Sequence, residues 1–234
     1  MPEPVKTFMY RSMQKAEPPC PTKAPRGRPR SFDRETALAE ATRLFWRKGY
    51  EATSIADLTG AIGIGAPSLY AAFGSKEALY QEALAHYARA YGALVWDRFL
   101  SADSAREALA ALLEDSAAAL TGTRGDILKG CPRGCMVTLS SVAGDQQAAL
   151  AETLRAARGL TLERLEARLE RAVAEGELPP STDIHALARY IQTVQSGMSI
   201  LARDAAGAEE LAAVAELAMR AYDAAAPLRA EGKP

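Results

Sequence analysis

The residues with most chemical content are arginines, hydroxyls and cysteines, and they fall in three places. Arg26-Gly27-Arg28-Pro29, followed by Arg30, sets guanidinium groups on either side of a glycine. That pattern suits a narrow A·T minor groove: glycine lets the backbone lie near the groove floor, and the arginines enter where the negative potential is strongest. The stretch Thr53 to Leu79 reads TSIADLTGAIGIGAPSLYAAFGSKEAL, two short helical patterns joined by a glycine turn and followed by a third. That is the layout of a helix-turn-helix reader of duplex DNA. Cys131 and Cys135 flank Pro132-Arg133-Gly134, a C-x₃-C spacing that is not a standard zinc signature. Lys129 and Arg133 lie close enough in sequence to lower a thiol pKa, which makes this pair a redox candidate; ordinary packing of one buried and one loop cysteine is the alternative. Enzyme chemistry finds little support. Ser12-Met13-Gln14-Lys15 matches S-x-x-K without its companion motifs, and there is neither a phosphate-binding glycine loop nor H-E-x-x-H. No cofactor and no metal site is expected.

The elements that must hold these residues are helices. Asp33 is a good N-cap, and Leu38, Ala41, Leu44 and Phe45 form an apolar face that ends at Gly49. Ser54 with Asp57 matches a capping box, with Thr53 as a rival cap, and Ile55, Leu58 and Ile62 are the buried side of a second helix. Gly63 occupies the turn, where positive φ is expected, and Ile64 plugs the angle between helices. Pro67 suits the first turn of a third helix, which Leu69 and Phe73 hold down and Gly74 ends; Ser75 caps the next. Further helices are expected at about 76–100, 104–121, 135–143, 145–175, 183–204 and 208–225, with Asp103 or Ser104, Asp145 and Asp183 as caps. Breaks fall at Gly122–Gly134 and Gly176–Pro180. The fold class is all-α.

On these elements the candidate DNA contacts are Arg26, Arg28 and Arg30 from the arm, Thr53, Ser54 and Lys76 at helix N-termini that favour phosphate, and Ala66, Ser68, Tyr70, Ala71 and Ala72 on the third helix. Tyr70 should face away from Leu69 and Phe73, with its hydroxyl within reach of a phosphate. The third helix, Gly65 to Phe73, contains no Arg, Lys, Asn or Gln, and the whole chain contains no Asn. The strongest bidentate base contacts are therefore unavailable from it. Ser68 remains as a hydrogen-bonding group and the alanines as partners for thymine methyls, so base readout should be modest and the arm should supply part of the deficit.

The run from Phe32 to Leu79, about a fifth of the chain, resembles the DNA-binding domain of TetR-family transcriptional regulators. The matching pieces are Leu44-Phe45, Gly49-Tyr50, Thr53 to Leu58, Gly63-Ile64, Leu69-Tyr70, Phe73 and Ser75 to Leu79. The resemblance implies an all-α homodimer, usually a repressor, released from DNA by a small ligand bound in a C-terminal domain. The domain boundaries that follow are a flexible basic arm at 1–30, a helix-turn-helix domain at 31–76, a regulatory and dimerisation domain at 77–226 and a tail at 227–234. Two other readings stay open: a thiol- or metal-responsive regulator of the same fold, and a helical interaction protein that does not bind DNA.

Bulk properties agree with a DNA-binding end on an acidic body. Residues 1–80 carry twelve basic against eight acidic side chains, a balance of +4, which leaves −5 for the remainder of a chain whose formal net charge is −1. Residues 1–30 contain seven prolines and no periodic apolar pattern, the composition of disorder. Three cysteines, an odd number, argue against a disulfide framework. No apolar run of about 18 residues is present and the N-terminus lacks a signal-peptide core, so no membrane partner and a cytoplasmic location are expected. Toward the C-terminus, Ile184, Leu187, Ile191, Val194, Met198 and Leu201, then Leu211, Val214, Leu217 and Met219, suit two helices that join a second copy in a four-helix interface. His86, Tyr87, Tyr91, Trp96, Phe99 and Met136 are candidates for contact with an unknown small-molecule effector, with plain core packing as the alternative.

Overall fold

The computed structural model describes residues 32–124, 130–140 and 148–225, and every regular element among them is a helix. In order these are α1 (Arg34–Lys48), α2 (Ile55–Ile62), α3 (Ala66–Phe73), α4 (Lys76–Tyr91), α5 (Ala93–Ser101), α6 (Ala105–Leu120), α7 (Met136–Leu139), α8 (Ala148–Glu175), α9 (Ile184–Arg203) and α10 (Ala208–Ala225). The all-α expectation holds. No described helix is long and apolar enough to cross a membrane. The expected arm with Arg26, Arg28 and Arg30, the tail from 227 and the expected cap Asp145 lie outside the described residues.

Helix starts follow local side-chain chemistry. Asp33 accepts from the amides of Glu35 and Thr36, Ser104 from Glu107 in a full capping box, and Asp183 from Ala186. Ser104, not Asp103, is therefore the cap of α6. The expected single helix over 76–100 is two helices. Gly92 interrupts it, and a Cβ there would stand 2.3 Å from the Ala88 carbonyl oxygen. The helix expected at 135–143 is the single turn α7, which ends by Ser140.

Two apolar cores form. One joins α1 to α4, with Phe45, Leu58, Leu69, Leu79 and Tyr80 buried together with Met136 from α7 and Leu150 and Leu154 from α8. Its centre is aromatic: Phe45 meets Tyr80 edge-on at 4.9 Å and Tyr50 meets Tyr80 at 5.1 Å. The other core is built on α6, packed by α5, α8, α9 and α10 through Leu109, Leu112, Leu165, Ile191, Met198 and Leu211. Met136, Leu150 and Leu154 thus tie the α1–α4 unit to the body by burial.

Gly134 marks a close crossing of the loop over α9. Its φ is +79°, and a Cβ there would lie 2.7 Å from the Ser199 carbonyl oxygen on α9. Its N–H donates to the Leu120 carbonyl at 2.8 Å, and its carbonyl accepts the Trp46 indole N–H at 2.9 Å. Backbone on α9 cannot step aside as a side-chain tip can. Gly134→Ala is expected to lower unfolding stability by about 1–3 kcal/mol, a fall of several degrees in Tm. Gly159→Ala on α8, where a Cβ would meet open space, should raise stability by about 0.5–1 kcal/mol. Paired thermal melts check both; equal shifts would refute the crossing.

Candidate nucleic-acid interface and cavity

The second helix is fastened before it can present anything. Ser54 Oγ accepts the Asp57 amide at 3.0 Å, and Asp57 accepts the Ser54 amide at 2.9 Å. Lys48 of α1 donates to the other Asp57 oxygen at 2.8 Å. The Lys48 bond, followed by those from Ser54, holds the Asp57 carboxyl well below the usual carboxylate range. Ser54 is exposed at the N-terminus of α2, where the first-turn amides carry partial positive charge.

Thr53 is placed differently from the expectation. It is fully buried, and its hydroxyl donates to the Gly49 carbonyl at 2.6 Å. It shapes the turn between α1 and α2 and is not a surface contact. Lys76 is half-buried, its ammonium 4.3 Å from the centre of the Tyr50 ring, which fixes it at the start of α4.

The third helix shows one face outward. Leu69 and Phe73 are buried, whereas Ser68, Tyr70 and Ala71 are exposed, Tyr70 at 45%. Ala66 and Ala72 are half-buried. Gly63, with φ +77°, makes the left-handed turn that sets α3 against α2. Arg34, which the sequence reading did not single out, clamps the far end. It donates to both Glu82 oxygens at 2.8 Å, reaches the Ala72 carbonyl at 3.4 Å and lies over the Phe73 ring at 4.6 Å. A cation in the first turn of a helix opposes the helix dipole, and that was the available signal that Arg34 has a partner elsewhere.

Behind this surface lies a cavity of about 430 Å³, within the roughly 300–1,000 Å³ of small-molecule sites. Trp46 of α1, Tyr87 and Tyr91 of α4, Trp96 of α5, Cys135, and residues of α6, α8 and α9 line it. Of the residues expected to meet an effector, Tyr87, Tyr91 and Trp96 are in its wall. His86 is half-buried and is not. Phe99 is 3% exposed in the body core, edge-on to Trp96, and Met136 is 1% exposed in the other core. Those two pack the fold and do not face the cavity. Trp46, Arg158, Arg164, Gln192 and Gln195 line it and were missed.

Burial above all, then the contact with Cys131, pushes the Tyr91 phenol up to about 12, so it stays a neutral hydrogen-bonding group at physiological pH. Burial also raises the Tyr87 phenol well above its ordinary value, beside Cys135. Cys131 lies between the Tyr91 hydroxyl, 3.6 Å away, and Arg43 of α1; Arg43 is raised by its bond to Cys131 against the lowering that burial causes. Cys135 donates its amide to Ser199 Oγ at 2.8 Å. Among the described residues, no three His, Cys, Asp or Glu side chains gather as a metal site would require.

The cavity and the reading end share α1. Trp46 touches Tyr87 and Tyr91 at 4.9 and 5.3 Å between ring centres, and its indole is fixed on Gly134. Arg203, in the last turn of α9, donates to the Trp46 carbonyl at 3.0 Å and the Arg47 carbonyl at 3.4 Å, meeting the negative end of α1 with a cation.

Comparison with known proteins bears on this arrangement. Residues 37–83 match the family model described as bacterial regulatory proteins, tetR family, and residues 105–216 match the tetracyclin repressor-like C-terminal domain. The chain is similar to the HTH-type transcriptional repressor ComR of Escherichia coli (strain K12), 37% identical over 210 residues that cover 86% of this chain and 93% of that protein. It is also similar to the HTH-type transcriptional repressor BdcR of the same organism, 33% identical over 82% of this chain and 90% of that one. Among solved structures, a cysteine mutant of the TetR family transcriptional regulator CifR, complexed with 26bp double-strand operator DNA, is 43% identical with a TM-score of 0.77, covering 83% of this chain and 99% of that one.

Proposed function

Because this chain belongs to the TetR family of bacterial regulatory proteins, we propose that it is a homodimeric transcriptional repressor that binds a near-palindromic operator and is controlled by a small ligand in the cavity behind α1 and α4. The observation that carries the reading is the sharing of α1. Trp46 belongs to the reading end and lines the cavity at the same time. A ligand that shifts Trp46 or Tyr91 moves α1 and α4, and with them the separation of two α3 helices in a dimer. Residues 31–76 act as the reading head and 77–226 as the sensing and dimerising body. Ser54, Ser68, Tyr70, Ala71 and Lys76 meet DNA from the head, and Arg26 and Arg28 from the arm. The protein works in the cytoplasm, and no catalytic step is assigned to it.

The thiol-responsive and the DNA-independent readings are not favoured. The first has Cys131 beside Arg43 in its support, the second nothing beyond a helical fold.

Filling the cavity tests the control. Ala119→Trp places a large ring in its wall on α6 and mimics a bound ligand. The expected outcome is a folded dimer whose operator affinity falls about 5–150-fold, the ordinary range of allosteric coupling. The check is a titration of operator duplex beside a circular-dichroism melt. Unchanged affinity in a folded variant would leave the cavity without a role in DNA binding.

A further inference from the structure

The cavity carries more positive charge than an apolar pocket requires. Among the described residues, Arg158 and Arg164 of α8 line it together with one carboxylate, Asp97. Among the described residues neither arginine is paired with a carboxylate. Among these residues Arg158 donates to the carbonyls of Val137 and Ser140, both at a long 3.4 Å, and Arg164 lies over the Trp96 ring at 4.9 Å. Both arginines come from one helix, six residues apart, and side-chain hydrogen bonds tie α9 to α8 and to α6 in the cavity wall. Gln192 Nε2 donates to the Arg158 carbonyl at 2.9 Å, and Gln195 Nε2 donates to Ser116 Oγ at 2.9 Å.

Arg158 is half-buried, and a guanidinium that loses hydration is best compensated by an acceptor of opposite charge; Arg164 is exposed and adds its charge from the solvent side. Its planar fork matches a carboxylate or a sulfonate better than any neutral group. The rest of the described wall is uncharged, a mixture of aromatic and aliphatic side chains with Gln192, Gln195 and a few hydroxyls, so a polyanion would leave most of its charge without a cation to meet it. Among the described lining residues two cations stand against one carboxylate, which leaves a single net positive charge to match.

We propose that the cavity selects an organic monoanion: an apolar, aromatic-sized body that carries one carboxylate-type group paired with Arg158 and Arg164. The proposal rests on the reading of this cavity as the control site, and it names the chemical class that the site takes.

Two probes of nearly the same skeleton test it on the full-length protein. Anilinonaphthalene sulfonate carries one negative charge, and phenylnaphthylamine is the same body without it. The chain contains 2 tryptophans, and both Trp46 and Trp96 line the cavity, so energy transfer from tryptophan reports a probe seated there. The expected result is saturable transfer to the sulfonate, weakened about tenfold or more in Arg158→Gln with Arg164→Gln, the order of a lost charge-assisted contact. Binding of the neutral probe should change by less than about twofold. Equal loss for both probes, an unchanged sulfonate affinity, or no transfer from either probe would overturn the proposal. Operator titration in the presence of the sulfonate separates the two readings. Arginine-dependent binding that leaves operator affinity untouched would sink the control role while the preference for a monoanion stands.

Discussion

Leu201→Glu combined with Leu217→Glu is expected to give a folded monomer that binds operator at least 100-fold more weakly. Two faces lead to this. Along α9, Tyr190, Gly197 and Leu201 follow one another at helical spacing, with Tyr190 at 38% and Leu201 at 42% exposure, while Val194 beside them packs against the body core. On α10, Leu217 is 62% exposed among the outward alanines Ala213, Ala221 and Ala224. The opposite sides of both helices, Leu187, Ile191, Met198, Leu211 and Ala215, are spent in the body core. The outward leucines are therefore surplus to the fold of one chain, and a small-residue face permits a second copy to approach closely. Deleting these helices would remove core residues as well, so charge placed on the outward face is the cleaner variant. Carboxylates at sites this exposed should cost the protomer within about 0.5 kcal/mol. Two linked half-sites exceed a single one by roughly 10²–10⁴ in affinity, and the monomer forfeits that. Sedimentation equilibrium and a duplex titration make the check. A dimer that survives both charges would move the interface elsewhere.

The second large effect belongs to α3. Ala71 is exposed between Tyr70 and the half-buried Ala72, with no charged side chain on its helix. Ala71→Glu places a carboxylate where phosphate and base edges must come. At about 1–3 kcal/mol for each of two half-sites, specific binding should fall by roughly 100-fold or more. Ala174→Glu, on the exposed side of α8, adds the same charge away from the reading helix and should leave affinity nearly unchanged. If both substitutions weaken binding alike, only the protein's overall charge is being felt and α3 does not read the site.

What could be read from the chain beforehand was whatever neighbours in sequence decide. Asp33, Ser54 with Asp57, and Asp183 cap their helices because a side chain reaches an amide two or three residues on. Leu69 and Phe73 face inward and Tyr70 outward because helical spacing leaves no choice. The misses depend on groups far apart. Thr53 is a plausible surface hydroxyl until the Gly49 carbonyl takes it. Trp46 belongs by pattern to the α1 core, and only the loop at Gly134 and the aromatic rings of α4 turn it into a cavity wall. Phe99 and Met136 have the composition of ligand contacts, but α6 and the α1–α4 core absorb them. Arg158 and Arg164 look like the polar face of a long helix until the cavity forms against them.

The most direct test of a dimeric DNA reader is selection from randomised duplex DNA by the intact protein, with the arm variant Arg26→Ala, Arg28→Ala run in parallel. Wild type should enrich two inverted half-sites whose centres lie one helical turn, about 34–36 Å, or a multiple of that apart. Two chains should be bound per symmetric site. The short A·T preference beside each half-site should fade in the arm variant while the half-sites themselves remain. Enrichment of no sequence, or of an unsymmetric motif bound by one chain, would contradict the account.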